Sequence, residues 1–217
     1  MTLTLYSHPF SSFCQKMLIA LYENETPFDY RSLEDSSAKA ECAALWPFGR
    51  FPVLVDDGRT VAESSIIIEH LAFHYPGPVR LLPDKAVEAI EVRFLDRVFD
   101  NYVMAEMQKP VFAALNGDEA RTREAMEKAQ LALDTVYAWL EERFAGRHWA
   151  AGNSFTMADC SAGPALFYAD WVHPIGQAFP RVRAYRSRLL ERPSFARAVA
   201  EARPFRQYFP LGAPDRD

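Results

Sequence analysis

Beyond Asp84 the chain carries no strand signal, whereas before it short strands and helices alternate. That change of periodicity restricts the fold to a small α/β unit followed by an all-helical one. Thr2-Leu3-Thr4-Leu5-Tyr6 alternates polar and apolar residues, as a half-buried strand does. From Cys14 good helix formers take over, with apolar residues at Met17, Leu18 and Leu21, and Ser11-Ser12 stand where an N-cap is expected. A hydroxyl there lies beside free backbone N–H groups and the positive end of the helix dipole, a setting that favours an anion. Asn24-Glu25-Thr26-Pro27 breaks the helix, and residues 28–31 alternate as a second strand. The Ala-rich stretch 36–46 fits one or two helical turns before Pro47-Phe48-Gly49. Residues 51–55 read as a buried strand, and Asp57-Gly58 before Thr60-Val61 is a strong hairpin signal. An apolar helical run, 65–71, follows Glu63-Ser64.

Pro76-Gly77-Pro78 and Pro83 mark a boundary, giving an α/β unit over residues 1–77, a linker over 78–83 and a helical unit over 84–217. Val87, Ile90, Phe94 and Val98 fall on one helical face, with Leu95, Phe99 and Tyr102 on an adjoining stripe. Pro110 is expected to kink or end that helix. Asn116-Gly117 stops it, Asp118 can cap the next, and Met126, Leu133, Val136, Leu140 and Phe144 mark its return antiparallel to the first. Thr156 and Asp159 have the spacing of a capping box, flanked by Phe155 and Cys160 as a hydrophobic staple. That box is a folding element with no chemistry of its own.

Composition excludes several classes. A net charge of −5 argues against a general nucleic-acid binder. Three scattered cysteines, Cys14, Cys42 and Cys160, make neither a disulfide framework nor a zinc site, and no His/Asp/Glu spacing suggests a metal. A reducing, cytoplasmic setting follows. No basic segment leads into a signal core, and no apolar run approaches the roughly 20 residues that cross a bilayer. A soluble protein with no membrane partner is expected.

Ser7 to Leu21, Gly49-Arg50-Phe51-Pro52-Val53-Leu54-Val55-Asp56-Asp57-Gly58, Glu63-Ser64 and the Phe155-to-Asp159 box occur in an order and spacing specific in combination. On these the sequence resembles the cytosolic glutathione transferases along nearly its whole length, closest in motif to the serine-type, zeta- and omega-like bacterial members. The resemblance implies a thioredoxin-like N-terminal domain, an all-α C-terminal domain and a homodimer. It also implies glutathione as co-substrate, no metal, and a small hydrophobic electrophile attacked in a detoxification reaction. Pro52 is then cis, and Phe51 pairs its backbone with the cysteinyl part of the tripeptide. Glu63 suits the ammonium of the γ-glutamyl end, Ser64 its carboxylate, and Arg50 can approach the tripeptide or serve as a plain surface residue.

Aligned on the first helix, Ser11 falls at the serine, or the omega-like cysteine, that stabilises the glutathione thiolate, so Ser11 is the expected catalytic residue. Three rivals stand beside it. Other classes use a tyrosine at the end of this strand, but that position is Ser7; Tyr6, one residue away, faces the core. Ser12 could substitute if the turn winds differently. Cys14 completes a Ser-x-x-Cys pattern and would open thiol-transfer chemistry if exposed, but is expected to pack inward. His8 could border the site. Phe10, Tyr102, Met104 and Trp171 are candidate walls of the second-substrate pocket, though core packing explains each of them as well. His70, His74 and His148 read as helix-end or surface residues, and the eight arginines between Arg181 and Arg206 as a solvated face. A glutathione-dependent isomerase, a thiol-transfer reductase and a non-catalytic binding or assembly module remain alternatives to the transferase.

Overall fold

The structure, a computed structural model, describes residues 2–217; Met1, the first residue of the expected α/β unit, lies outside it. Strand β1 (Leu3–Ser7) lies inside a four-stranded sheet of order β2-β1-β3-β4. It runs parallel to β2 (Asp29–Ser32), with Leu5 opposite Tyr30, and antiparallel to β3 (Val53–Asp56), with Leu5 opposite Leu54. β3 turns into β4 (Arg59–Ala62) through Asp57 and Gly58, whose φ values of 45° and 85° are the left-handed pair a two-residue hairpin requires. β3 starts after Pro52, which has no N–H to give to a ladder.

Strand parity divides the side chains. Leu3, Leu5 and Ser7 face helix α1 (Ser12–Glu23), whereas Tyr6 joins Leu33, Ala38, Cys42 and Val53 under helix α2 (Ser36–Leu45) and donates its hydroxyl to Glu41 at 2.8 Å. Helix α2 exceeds one or two turns because Asp35 caps it, accepting from the Ser37 N–H at 2.7 Å. On α1 every residue from Cys14 to Leu21 is buried. The helix is wedged between the sheet and the second unit, packing on α3 (Ser64–His74), α7 (Met157–Val172) and α9 (Pro193–Ala202). One continuous core therefore spans both units, running from Leu5 and Met17 to Leu166 and Phe195.

The second unit opens with α4 (Ala86–Val98), which passes through a π-helical turn (Phe99–Met104) into α5 (Ala105–Leu115). Pro110 sits within α5 without ending it; the departure from α-helix is the π turn, where the Ala105 N–H reaches back to Asp100 O. Leu95 and Phe99 point inward. Of the other stripe Val98 is buried, whereas Val87, Ile90 and Phe94 are 81%, 64% and 46% exposed. Helix α6 (Glu119–Arg143) returns antiparallel, and α7 follows its capping box, where Asp159 accepts the Thr156 N–H at 2.8 Å. Asp159 also accepts the Ala150 N–H and the Tyr185 hydroxyl, at 2.8 and 2.6 Å.

Helix α8 (Pro180–Glu191), α9 and a 3-10 turn (Arg203–Tyr208) complete the chain. Two surface assignments are corrected here. The His70 side chain is nearly buried, with Nε2 on Asp56 Oδ2 at 2.7 Å, so the end of α3 is tied to the hairpin. Among the C-terminal arginines, Arg186 packs against Asp170 over the Phe167 ring, and Arg192 grips Glu23 on α1 with two nitrogens. These side chains fasten helices together.

Candidate active site

Between the α/β unit and the helices opens a cleft of about 690 Å³, within the usual range of small-molecule sites. Phe10, Ser11, Ser12 and Phe13 line it from the turn after β1, and Trp46, Gly49, Arg50, Phe51 and Pro52 from the loop before β3. Glu63 and Ser64 line it from the start of α3. Arg97 and Asp100 stand at the junction of α4 and the π turn. Val111, Phe112 and Leu115 of α5, with Tyr168, Tyr208 and Phe209, complete an apolar wall.

Ser11 is the N-cap of α1, with extended backbone angles (φ −79°, ψ 126°). Its Oγ accepts the Cys14 N–H over a long 3.4 Å, a bond that does not use the hydroxyl proton. The turn is held from below: Gln15 Nε2 donates to Pro9 O at 3.0 Å and to the Tyr168 hydroxyl at 2.9 Å, and that hydroxyl donates to Phe10 O at 2.8 Å. The second unit thus fixes where Ser11 sits. His8 points away from the cleft, its Nε2 2.9 Å from Glu34, while its Nδ1 accepts the Phe10 N–H. Cys14 is fully buried, its sulfur accepting the His8 N–H at 3.4 Å, and burial pushes its thiol pKa up. It lies beneath the turn and contributes nothing to the cleft wall.

At the far end of the cleft, Glu63 has φ 67° and ψ 115°, a left-handed backbone that costs a non-glycine residue on the order of 1–3 kcal/mol. Its side chain makes no cap bond to α3, which leaves the first N–H groups of α3 without that partner, and Glu63 and Ser64 border the cleft together, the Glu63 charge acting on Arg97. Arg97, half exposed, reaches Asp100 Oδ2 at 2.8 Å and Asp96 Oδ2 at 2.6 Å. Burial pushes the Asp100 carboxyl upward, against the opposing pull of Lys16. Burial works against the Arg97 charge, and the Asp96 carboxylate outweighs it. One corner therefore presents carboxylates, a guanidinium and free backbone N–H groups, a set matched to an α-amino acid zwitterion.

Ser11, Arg50, Phe51, Pro52, Glu63, Ser64 and Phe10 all border this one cleft, and the Phe51–Pro52 peptide is cis. Tyr102, Met104 and Trp171 do not border it. The π turn rotates the helix so that Asp100 and Asn101 face the cleft, which leaves Tyr102 61% exposed elsewhere and Met104 in the core. Trp171 stands behind the wall, its ring 6.3 Å from that of Phe10 and 5.2 Å from that of Phe209. Arg97, Asp100, Phe112, Tyr208 and Phe209 escaped sequence reasoning because no local motif carries them. Among the described residues no group of three His, Cys, Asp or Glu side chains is disposed around a metal position, and no helix is long and apolar enough to cross a membrane.

Comparison with known proteins bears on this site. Residues 5–79 match the family description "Glutathione S-transferase, N-terminal domain", and residues 123–188 match "Glutathione S-transferase, C-terminal domain". Glutathione S-transferase F10 of Arabidopsis thaliana is 30% identical over 192 residues, covering 82% of this chain and 85% of the relative. A stringent starvation protein A homolog of Coxiella burnetii is 25% identical over 202 residues, 92% of each chain. The solved structure of glutathione S-transferase isozyme E7 of Drosophila melanogaster superposes with a TM-score of 0.82 at 22% identity, covering 97% of both chains. That last likeness concerns the fold.

Proposed function

The chain belongs to the glutathione S-transferase family, and from that premise we propose that it is a transferase that stabilises the glutathione thiolate for attack on a small hydrophobic electrophile. One observation carries the reading: a helix-capping hydroxyl, Ser11, shares a single cleft with the zwitterion-matched corner of Glu63, Ser64 and Arg97.

A thiol of pKa about 8.5 is mostly protonated at neutral pH. In this reading the Ser11 hydroxyl donates to the sulfur, and the N-terminus of α1 adds its dipole, so the thiolate is the species held. Phe51 offers backbone groups to the cysteinyl residue. Glu63 takes the ammonium, Ser64 and Arg97 take the α-carboxylate, and Arg50 flanks the tripeptide. The electrophile lies against Phe10, Val111, Phe112, Tyr208 and Phe209; the sulfur–carbon bond forms as its leaving group departs with the electron pair. Held thiolate and aligned partner together supply the rate. Addition followed by elimination at the same sulfur would make the site an isomerase.

The thiol-transfer reading gains nothing from Cys14, which lies buried beneath the turn. We place the protein in the cytoplasm as a homodimer engaged in detoxification. The kinship with a protein named for starvation rather than transfer keeps a non-catalytic binding module as the second reading. Calorimetry with glutathione separates the two. The transferase reading expects binding by the full chain, weakened about tenfold, or ~1.4 kcal/mol, in Ser64→Ala. Absence of binding by the parent chain selects the binding module.

A further inference from the structure

Lys16 is the residue on α1 that the mechanism leaves unused, and its side chain is only 1% exposed. An ammonium so buried persists only when fully paired. Its three protons are all spent: Nζ lies 2.6 Å from Asp96 Oδ1, 2.9 Å from Asp100 Oδ2 and 2.9 Å from Ser65 Oγ. Ser65 donates onward to Asp96 Oδ2 at 2.7 Å, and Ser161 of α7 donates to the other oxygen of Asp96. Burial opposes the Asp96 charge, and Lys16 outweighs that penalty, holding its pKa below the ordinary value. From the other side Arg97 approaches the same acceptors, its Nη2 meeting Ser65 Oγ as well as both carboxylates. α1, α3, α4, the π turn and α7 thus meet on one ionic cluster.

The cluster is balanced, two cations against two carboxylates, but the cations are not equivalent. Lys16 is sealed beneath it, while Arg97 is half exposed and borders the cleft beside Ser64. Without Lys16, Arg97 alone would face Asp96 and Asp100. The corner would then carry one more unit of negative charge, with Glu63 already beside it. An incoming carboxylate would be repelled.

We propose that Lys16 is a positioning residue for the α-carboxylate of the γ-glutamyl group: it balances the buried Asp96–Asp100 pair from below, so that the charge of Arg97, whose Nε and Nη2 stay on those carboxylates, is not cancelled at the edge of the cleft. This rests on the glutathione reading and adds to it the residue that sets the sign of the subsite.

The test compares glutathione with γ-aminobutyryl-cysteinylglycine, which lacks only the α-carboxylate, by calorimetry on the full chain. Lys16→Met is expected to weaken glutathione about tenfold, ~1.4 kcal/mol, while the analogue changes less than about twofold. The double variant Lys16→Met/Asp96→Asn restores charge balance and is expected to recover glutathione affinity to within about threefold of the parent, ~0.7 kcal/mol. It also carries the test alone if the single variant does not fold, because removing both partners of a buried pair is far better tolerated than removing one. Equal losses for both ligands, or a double variant that has lost glutathione selectively or binds it no better than the single, would overturn the proposal. A parent chain that binds neither ligand fails the glutathione reading itself, a distinct result.

Discussion

Ser11 illustrates how much one residue can carry when its backbone position is set by others. Its carbonyl starts α1, accepting the Gln15 N–H at 2.8 Å, and its hydroxyl oxygen caps the helix in a bond that does not use the hydroxyl proton. This role was legible because an N-cap has a local signature: hydroxyl, then a run of helix formers. The inward packing of Tyr6 was legible too, since parity along a strand is a strict rule of two. Arg97 and Asp100 were not legible. Charged residues inside an amphipathic helix read as solvated, and only the fold reveals that Lys16 and Ser65 come up beneath them. The cysteines give a direct check at this scale. Cys14, Cys42 and Cys160 are all buried, and burial raises each thiol pKa. A colorimetric disulfide reagent at pH 8 should therefore find no rapidly reacting thiol in the native chain and three after unfolding. Fast native reaction of Cys14 would revive thiol-transfer chemistry.

At the scale of elements, the strands and the helices α1, α3, α4 and α6 announced themselves by their own period, but the face each buries depends on its neighbours. The α4 stripe Val87, Ile90 and Phe94 has the spacing of a core-facing surface, yet it points to solvent because the π turn and α7 take up the opposite face. Ile66 and Phe73 on α3 are exposed as well, and the Arg93–Glu69 pair, with both nitrogens 2.7 Å from the carboxylate, joins these two helices between the apolar residues. Apolar residues exposed on adjoining faces suit an association surface, and in the proposed homodimer this is the face expected to lie between two copies. Light scattering at micromolar concentration should give twice the chain mass, and the pair Ile90→Lys and Phe94→Lys should shift it to monomer with helical content retained. A monomeric parent chain would contradict the proposal; a dimer indifferent to both lysines would move the interface elsewhere. The π turn had no signal in the sequence, since a single added residue in a helical turn leaves composition and caps unchanged.

Over the whole molecule, the change from alternating strands and helices to helices alone was readable from residue patterns, and it is the architecture observed. What could not be read is how the two units close on each other. That closure makes the cleft: α1 is clamped by α3, α7 and α9, Tyr168 pins the Ser11 turn, and Phe112, Tyr208 and Phe209 supply a wall from distant parts of the chain. Ser11, Phe51, Pro52, Glu63 and Ser64 thus come from motifs within one unit, while Arg97 and Asp100 and the wall of Phe112, Tyr208 and Phe209 reach the same cleft from the other unit with no motif. In the proposed function the glutathione sulfur sits at the N-terminus of α1, and the ultraviolet thiolate absorbance of bound glutathione titrated against pH, in the parent and in Ser11→Ala, tests it. A bound thiol whose pKa is lowered is thiolate above that lowered value and takes up its proton as pH falls through it. The parent is expected to hold glutathione with a thiol pKa at least about one unit below the free value of about 8.5, and Ser11→Ala to return it most of the way while binding is largely kept. A bound thiol that titrates at the free value in the parent, or a lowered value unchanged in Ser11→Ala, would contradict the proposed function.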